Sequence, residues 1–229
     1  MLAVERKHLC FKHPFTCMTA GPTSSGKTVL IRRILKHHKS LIYFKDDIVE
    51  KLKVLWSYGQ WQNLYKEEIH NVEIRYVEGL PSEDEILEDK PHIVIIDDLM
   101  TELGSDKKLT NLFTKGSHHN DISVIFISQN IFHQGSQMRT ISLNCHYMLL
   151  MKNPRDKAQI MALASQIYPN KNKFLIEAFN DATKKQFGYI KVDMKQDTPD
   201  NLRIQTRITT EELPSDCKYS ISPIAYTPK

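Results

Sequence analysis

The octapeptide Gly21-Pro22-Thr23-Ser24-Ser25-Gly26-Lys27-Thr28 matches the pattern G-x-x-x-x-G-K-[ST]. These residue types suit one task, the wrapping of a chain of phosphates. Gly21 and Gly26 permit the strained turn that such a loop makes. The loop amides and the first turn of the following helix point N–H groups, and the positive end of the helix dipole, at an anion. Lys27 is expected to neutralise the β- and γ-phosphates, and Thr28 to offer its hydroxyl to Mg²⁺. ATP with Mg²⁺ is therefore the expected ligand, held by all eight residues.

Two further groups complete a hydrolytic chemistry. The run Ile93-Val94-Ile95-Ile96-Asp97-Asp98 is an apolar strand ending in paired carboxylates. In an open α/β sheet such strand ends form the ligand edge. Asp97 is placed for the Mg²⁺ shell, and Asp98 for polarising the attacking water as a general base. About one crossover later, Ser123–Ser128 ends in Gln129. A neighbouring strand would set Gln129 beside Asp98 and the γ-phosphate, where its amide can orient water or sense the nucleotide. His118 and His119 lack Cys or acidic partners at ligand spacing, so a metal site there is not supported.

These side chains need strands to carry them and helices to cover the strands. Phe15–Ala20 reads as the strand before the loop. Thr28–His38 reads as the helix after it, with Val29, Ile31, Ile34 and Leu35 on one face. Strands are predicted at 41–45, 72–77, 92–97, 122–128 and 146–152, and within the runs "FGYIKVDM" and "LRIQTRI". Helices are predicted at 47–61, 82–89 with Ser82 as N-cap, 108–119, 155–168 and 173–183. Strands alternating with helices specify an α/β domain, with a central, mostly parallel sheet flanked by helices. One domain is expected over 1–208, followed by an extended arm over 209–229.

The 229 residues carry 41% hydrophobic and 25% charged side chains with a net charge of +4. This is an ordinary globular composition. The mild charge permits a local nucleic-acid patch without demanding one. No run approaches the length of a membrane span and no signal peptide is read at the N-terminus. The four cysteines, Cys10, Cys17, Cys145 and Cys217, are scattered and read as reduced thiols of an intracellular protein.

The order "GPTSSGKT … IVIIDD … KGSHHNDISVIFISQN … LLMKNPRDKAQI" resembles the FtsK/HerA-type genome-packaging ATPases of double-stranded DNA viruses and virus-like elements. It is most similar to the poxvirus-type, virophage, adintovirus and Polinton/Maverick enzymes, over about 15–207. The block from "LFTKGSHH" to "NPRDK" is its most specific part. The resemblance implies an ASCE (RecA/FtsK-like) P-loop NTPase. It also implies a homo-oligomeric ring, a hexamer, that pumps duplex DNA without sequence preference. The expected partner is a capsid or portal vertex protein, and the expected location is the host nucleus, a viral factory or the virion. Bacterial relatives carry arginines in the region matching Lys115–Asp121, where this chain has Lys115, His118 and His119. The trans-acting arginine is then sought at Arg139 or Arg155. Another ASCE motor such as a helicase, a nucleotide kinase and a non-hydrolysing switch are the alternatives; no Arg-rich lid of a kinase is found.

Overall fold

The computed structural model describes residues 8–45, 49–99, 121–132, 136–209 and 224–227. The expected helix at 108–119, with His118 and His119, lies outside them, as does the segment 210–223.

Among the described residues, eleven strands run in chain order as β1 (Phe11–Lys12), β2 (Thr16–Ala20), β3 (Ile42–Tyr43), β4 (Leu52–Tyr58), β5 (Val72–Glu78), β6 (Ile93–Asp97), β7 (Ser123–Ser128), β8 (Tyr147–Met151), β9 (Tyr189–Asp193), β10 (Ile204–Thr206) and β11 (Ile224–Tyr226). The α-helices described are α1 (Lys27–Lys36), α2 (His38–Leu41), α3 (Glu83–Asp89), α4 (Ser136–Leu143), α5 (Ala158–Ile167) and α6 (Asn172–Ala182). Nine strands form one sheet in the order β11-β10-β9-β8-β2-β7-β6-β4-β5, while β1 and β3 pair separately. From β8 to β5 every pairing is parallel. From β8 outward through β9, β10 and β11 the pairings are antiparallel.

The central strands are apolar along their whole length because both faces are covered. Ile93 and Ile95 of β6 and Ile125 and Ile127 of β7 pack with Leu30, Ile31, Ile34 and Leu35 of α1. The alternate residues Val94, Ile96, Val124 and Phe126 pack on the opposite face with Ile141 of α4, Leu163 of α5 and Leu175 of α6. Helix α3 starts at a full capping box. The Ser82 Oγ accepts from the Glu85 N–H at 3.2 Å, and a Glu85 carboxylate oxygen accepts from the Ser82 N–H at 2.8 Å.

One predicted element is of the wrong type. The segment 47–61 was expected to be helical, and its centre is instead strand β4. Leu52, Val54 and Trp56 pack on the α1 side and Leu55 on the other, all buried. The run Val-Leu-Trp-Ser-Tyr is rich in branched and aromatic residues that suit a strand sandwiched on both faces. Its apolar residues therefore follow a two-sided period-2 pattern, which over a short stretch cannot be told from helical spacing. Strand β11 joins the sheet edge with Ile224, Ala225 and Tyr226 opposite Thr206, Gln205 and Ile204. Among the described residues, no helix is long and apolar enough to cross a membrane.

Candidate active site

The register of the parallel strands brings their carboxyl ends to one edge. Ala20 is level with Ser128, and Asp97 is level with both Ile127 and Tyr58. Residues following β2, β6 and β7 are thereby delivered side by side. Strand β7 lies between the strand that leads into the loop and the strand that ends in Asp97.

The loop 21–28 folds over the start of α1. Gly26 caps that helix with φ 93°, in the left-handed region that glycine adopts without a Cβ clash. No side chain caps the helix and no acid stands in its first turn. Its leading N–H groups and dipole are thus directed at the cleft with nothing negative in the first turn to oppose an anion. The Ser25 hydroxyl is buried with no hydrogen-bond partner among the described residues. The Lys27 ammonium donates to the carbonyls of Gly21 at 2.7 Å and Pro22 at 2.9 Å. Burial lowers its pKa, while the charges of Asp97 and Asp98 act to restore it. A cleft of about 450 Å³ lies along the loop, lined by Thr23 to Val29, Asp97, Asp98, Gln129 and Phe187 among others.

Asp97 is 3% exposed. One of its carboxylate oxygens accepts from the Thr28 hydroxyl at 3.3 Å and from the Tyr65 hydroxyl at 2.8 Å. Burial pushes the Asp97 carboxyl above the usual aspartate range, and these two hydrogen bonds oppose that shift. Tyr65, raised first by burial and then by the charge of Asp97, stays a donor. An oxygen-only pair of one hydroxyl and one buried carboxylate fits Mg²⁺, which takes few protein ligands and completes its shell with phosphates and water. Asp98 follows with φ 57° and is exposed. Its carboxylate accepts from the Gln129 amide at 3.2 Å across the β6–β7 boundary.

The two candidate arginines lie apart from this cluster. Arg139 is exposed on α4, and Arg155 is exposed in the segment between β8 and α5. Neither is among the described residues that line the cleft. The Arg155 N–H donates to the Asn153 side-chain oxygen at 3.2 Å.

Three contributors have no sequence signature. Tyr65 sits in a single 3₁₀ turn, 63–66, within an aromatic cluster. Its ring stacks on Tyr76 at 5.0 Å and lies 5.4 Å from both Trp56 and Trp61. Gln159 of α5 anchors the segment after Gln129. Its side-chain oxygen accepts from the Ile131 N–H at 2.7 Å, and its amide donates to Asn130 at 3.2 Å. Phe187, in the turn before β9, lines the cleft. No motif spacing connects any of them to the residues they touch.

No protein-family model matches the chain, and no curated protein matches it in sequence. Solved structures do match in three dimensions. The genome packaging NTPase B204 from Sulfolobus turreted icosahedral virus 2 in complex with sulfate aligns with TM-score 0.52 at 14% identity, over 84% of this chain and 95% of that one. The same protein in complex with ATP-gammaS aligns with TM-score 0.50 at 12% identity, over 84% and 96% of the two chains. The chain therefore shares the α/β fold of that NTPase, with a mostly parallel central sheet flanked by helices.

Proposed function

We propose that this protein is an FtsK/HerA-type ATPase that hydrolyses ATP to ADP and phosphate and uses the energy to drive double-stranded DNA into a viral capsid. The observation that carries the reading is the Gln129–Asp98 hydrogen bond. It joins the sensor strand to the second carboxylate, beside a phosphate loop and a buried metal carboxylate. A site built only to hold nucleotide has no need of an exposed base-and-amide pair beyond the metal ligand.

Within this reading the loop 21–28 binds the phosphates by its amides, and the Lys27 ammonium leaves the Gly21 and Pro22 carbonyls for the β- and γ-phosphates. Thr28 and Asp97 would hold Mg²⁺, which supplies charge neutralisation on the phosphates. Asp98 takes the proton of the attacking water and Gln129 orients that water. Arg139 or Arg155 of a neighbouring subunit would stabilise the charge developing on the γ-phosphate in a homo-oligomeric, hexameric ring. DNA would be held through its phosphates and not its bases, since a packaging motor must travel along any sequence. The same reading places the protein inside the infected cell, at the nucleus, a viral factory or the virion, working against a capsid or portal vertex protein.

Phosphate release is the test, measured with and without duplex DNA alongside particle mass. ATP turnover stimulated by duplex DNA in a ring-sized particle, and abolished in Lys27→Ala, is the expected result. Near-normal turnover in a folded Lys27→Ala protein would overturn the phosphate-loop assignment. Transfer of phosphate to a second nucleotide would mean a kinase, and stimulation by single strands alone would mean a helicase.

A further inference from the structure

Phe187 is a large apolar side chain held where it gains little by being apolar. It is 57% exposed and has φ 59°, a left-handed conformation that a non-glycine residue adopts only under constraint. The constraint is visible next door. The Gly188 N–H donates to the Lys185 carbonyl at 3.1 Å, closing a turn directly after α6. A Cβ on Gly188 would lie 2.4 Å from the Ala182 carbonyl oxygen and 2.9 Å from the Thr183 Cα. The chain is thus pressed against the end of α6 before it enters β9, and Phe187 is turned toward the phosphate loop. Its ring Cδ1 would be 3.1 Å from a Cβ placed on Gly26.

The sheet order says which end of a nucleotide reaches this ring. Strand β9 is antiparallel to β8, with Tyr189 opposite Met151, so the start of β9 stands at the same edge as the carboxyl ends of the parallel strands. Along that edge the sequence of strands is β9, β8, β2, β7, β6. The loop follows β2, whereas Gln129, Asp97 and Asp98 follow or end β7 and β6. A triphosphate whose terminal phosphate faces Asp98 and Gln129 must therefore point its nucleoside the other way, toward β8 and β9. Phe187 waits on that side with an exposed aromatic face.

Resting on the P-loop ATPase reading above, we propose that Phe187 is the base-stacking residue of the nucleotide site. It contributes affinity through the π-face of a purine and not through any group on the base edge. Stacking of this kind tolerates different bases, so adenine and guanine nucleotides should gain from it alike.

Calorimetric binding of ADP, GDP and inorganic tripolyphosphate, each with Mg²⁺, to the wild type, Phe187→Ala and Phe187→Tyr separates the possibilities. Phe187→Ala should weaken ADP and GDP by about 5- to 150-fold, the range that corresponds to loss of one base–aromatic stack. It should leave tripolyphosphate affinity unchanged, and Phe187→Tyr should behave as wild type. The exposure of the side chain keeps the alanine variant foldable, which its unfolding midpoint checks. Unchanged ADP affinity in Phe187→Ala would overturn the inference. So would an equal loss of ADP and tripolyphosphate, because the ring would then be shaping the loop. Wild-type binding of tripolyphosphate without any preference for nucleotides would overturn stacking and leave the phosphate loop intact. Failure of the wild type to bind either would overturn the phosphate-loop reading itself, and this inference with it.

Discussion

Tyr65→Phe removes one hydroxyl and leaves the ring, so it isolates a single hydrogen bond to Asp97, the carboxylate proposed to hold Mg²⁺. That bond is 2.8 Å long and ends on the Asp97 oxygen that Thr28 also contacts. A hydrogen bond to a charged group contributes about 1.5–3 kcal/mol and one to a neutral group about 0.5–1.5 kcal/mol. The bond therefore favours the carboxylate over the protonated acid by about 1–1.5 kcal/mol, or about one pKa unit. Burial already raises the Asp97 pKa, and loss of the Tyr65 donor raises it further. Only the carboxylate binds Mg²⁺, so metal affinity falls as pH drops through this pKa. In Tyr65→Phe that fall should begin about one pH unit higher than in the wild type. The assay is the apparent Mg²⁺ dissociation constant for ADP binding, followed from neutral into acid pH. The remaining ring contacts to Tyr76, Trp56 and Trp61 preserve the packing. Superimposable pH profiles would refute the role given to the hydroxyl. A loss of affinity that is the same at every pH would refute it too, since that pattern belongs to misplacement of the carboxylate and not to its protonation.

Asp98→Asn should lower kcat by about 10²–10⁴, the usual value of a general base, with ATP affinity changed little; an unchanged kcat would move the base elsewhere. Gln129→Ala should lower kcat and also blunt stimulation by DNA, and equal stimulation in wild type and variant would restrict Gln129 to positioning water. Lys191 is fully buried and donates to the Leu9 carbonyl and to Gln205. Burial lowers its pKa to about 8 from 10.5. The unfolded chain then binds more protons between those values, so this group's cost is full below about pH 8 and fades as pH rises to 10.5. Denaturant unfolding should show wild-type stability gaining on Lys191→Met by on the order of 3 kcal/mol across that window; parallel curves would contradict it. Mixing Arg139→Ala or Arg155→Ala subunits with Lys27→Ala subunits should restore turnover at hybrid boundaries if that arginine acts in trans. Absence of rescue in rings shown to be mixed would place the finger elsewhere.

The glycine-containing loop 21–28, the paired carboxylates and the strand-end glutamine are legible in the sequence because each is local. A glycine pattern, an unbroken apolar strand and the polar residue that ends it are all written within a few neighbouring positions. The alternation of such strands with amphipathic segments also determines the α/β class, since strands this apolar need cover on both faces. Local pattern fails where burial on both faces erases periodicity, which is why Leu52–Tyr58 is a strand although its surroundings read as a helix. The placement of β7 between β2 and β6 is a matter of sheet order. It is what brings Gln129 within 3.2 Å of Asp98. Tyr65 meets Asp97 across 32 residues, and Phe187 meets Gly26 through the reversal of β9 against β8. No short-range pattern encodes either encounter, because each depends on where the sheet sets two distant turns along one edge. The sequence by itself determines which chemical groups are available, and the tertiary structure decides which of them meet along one edge of the sheet.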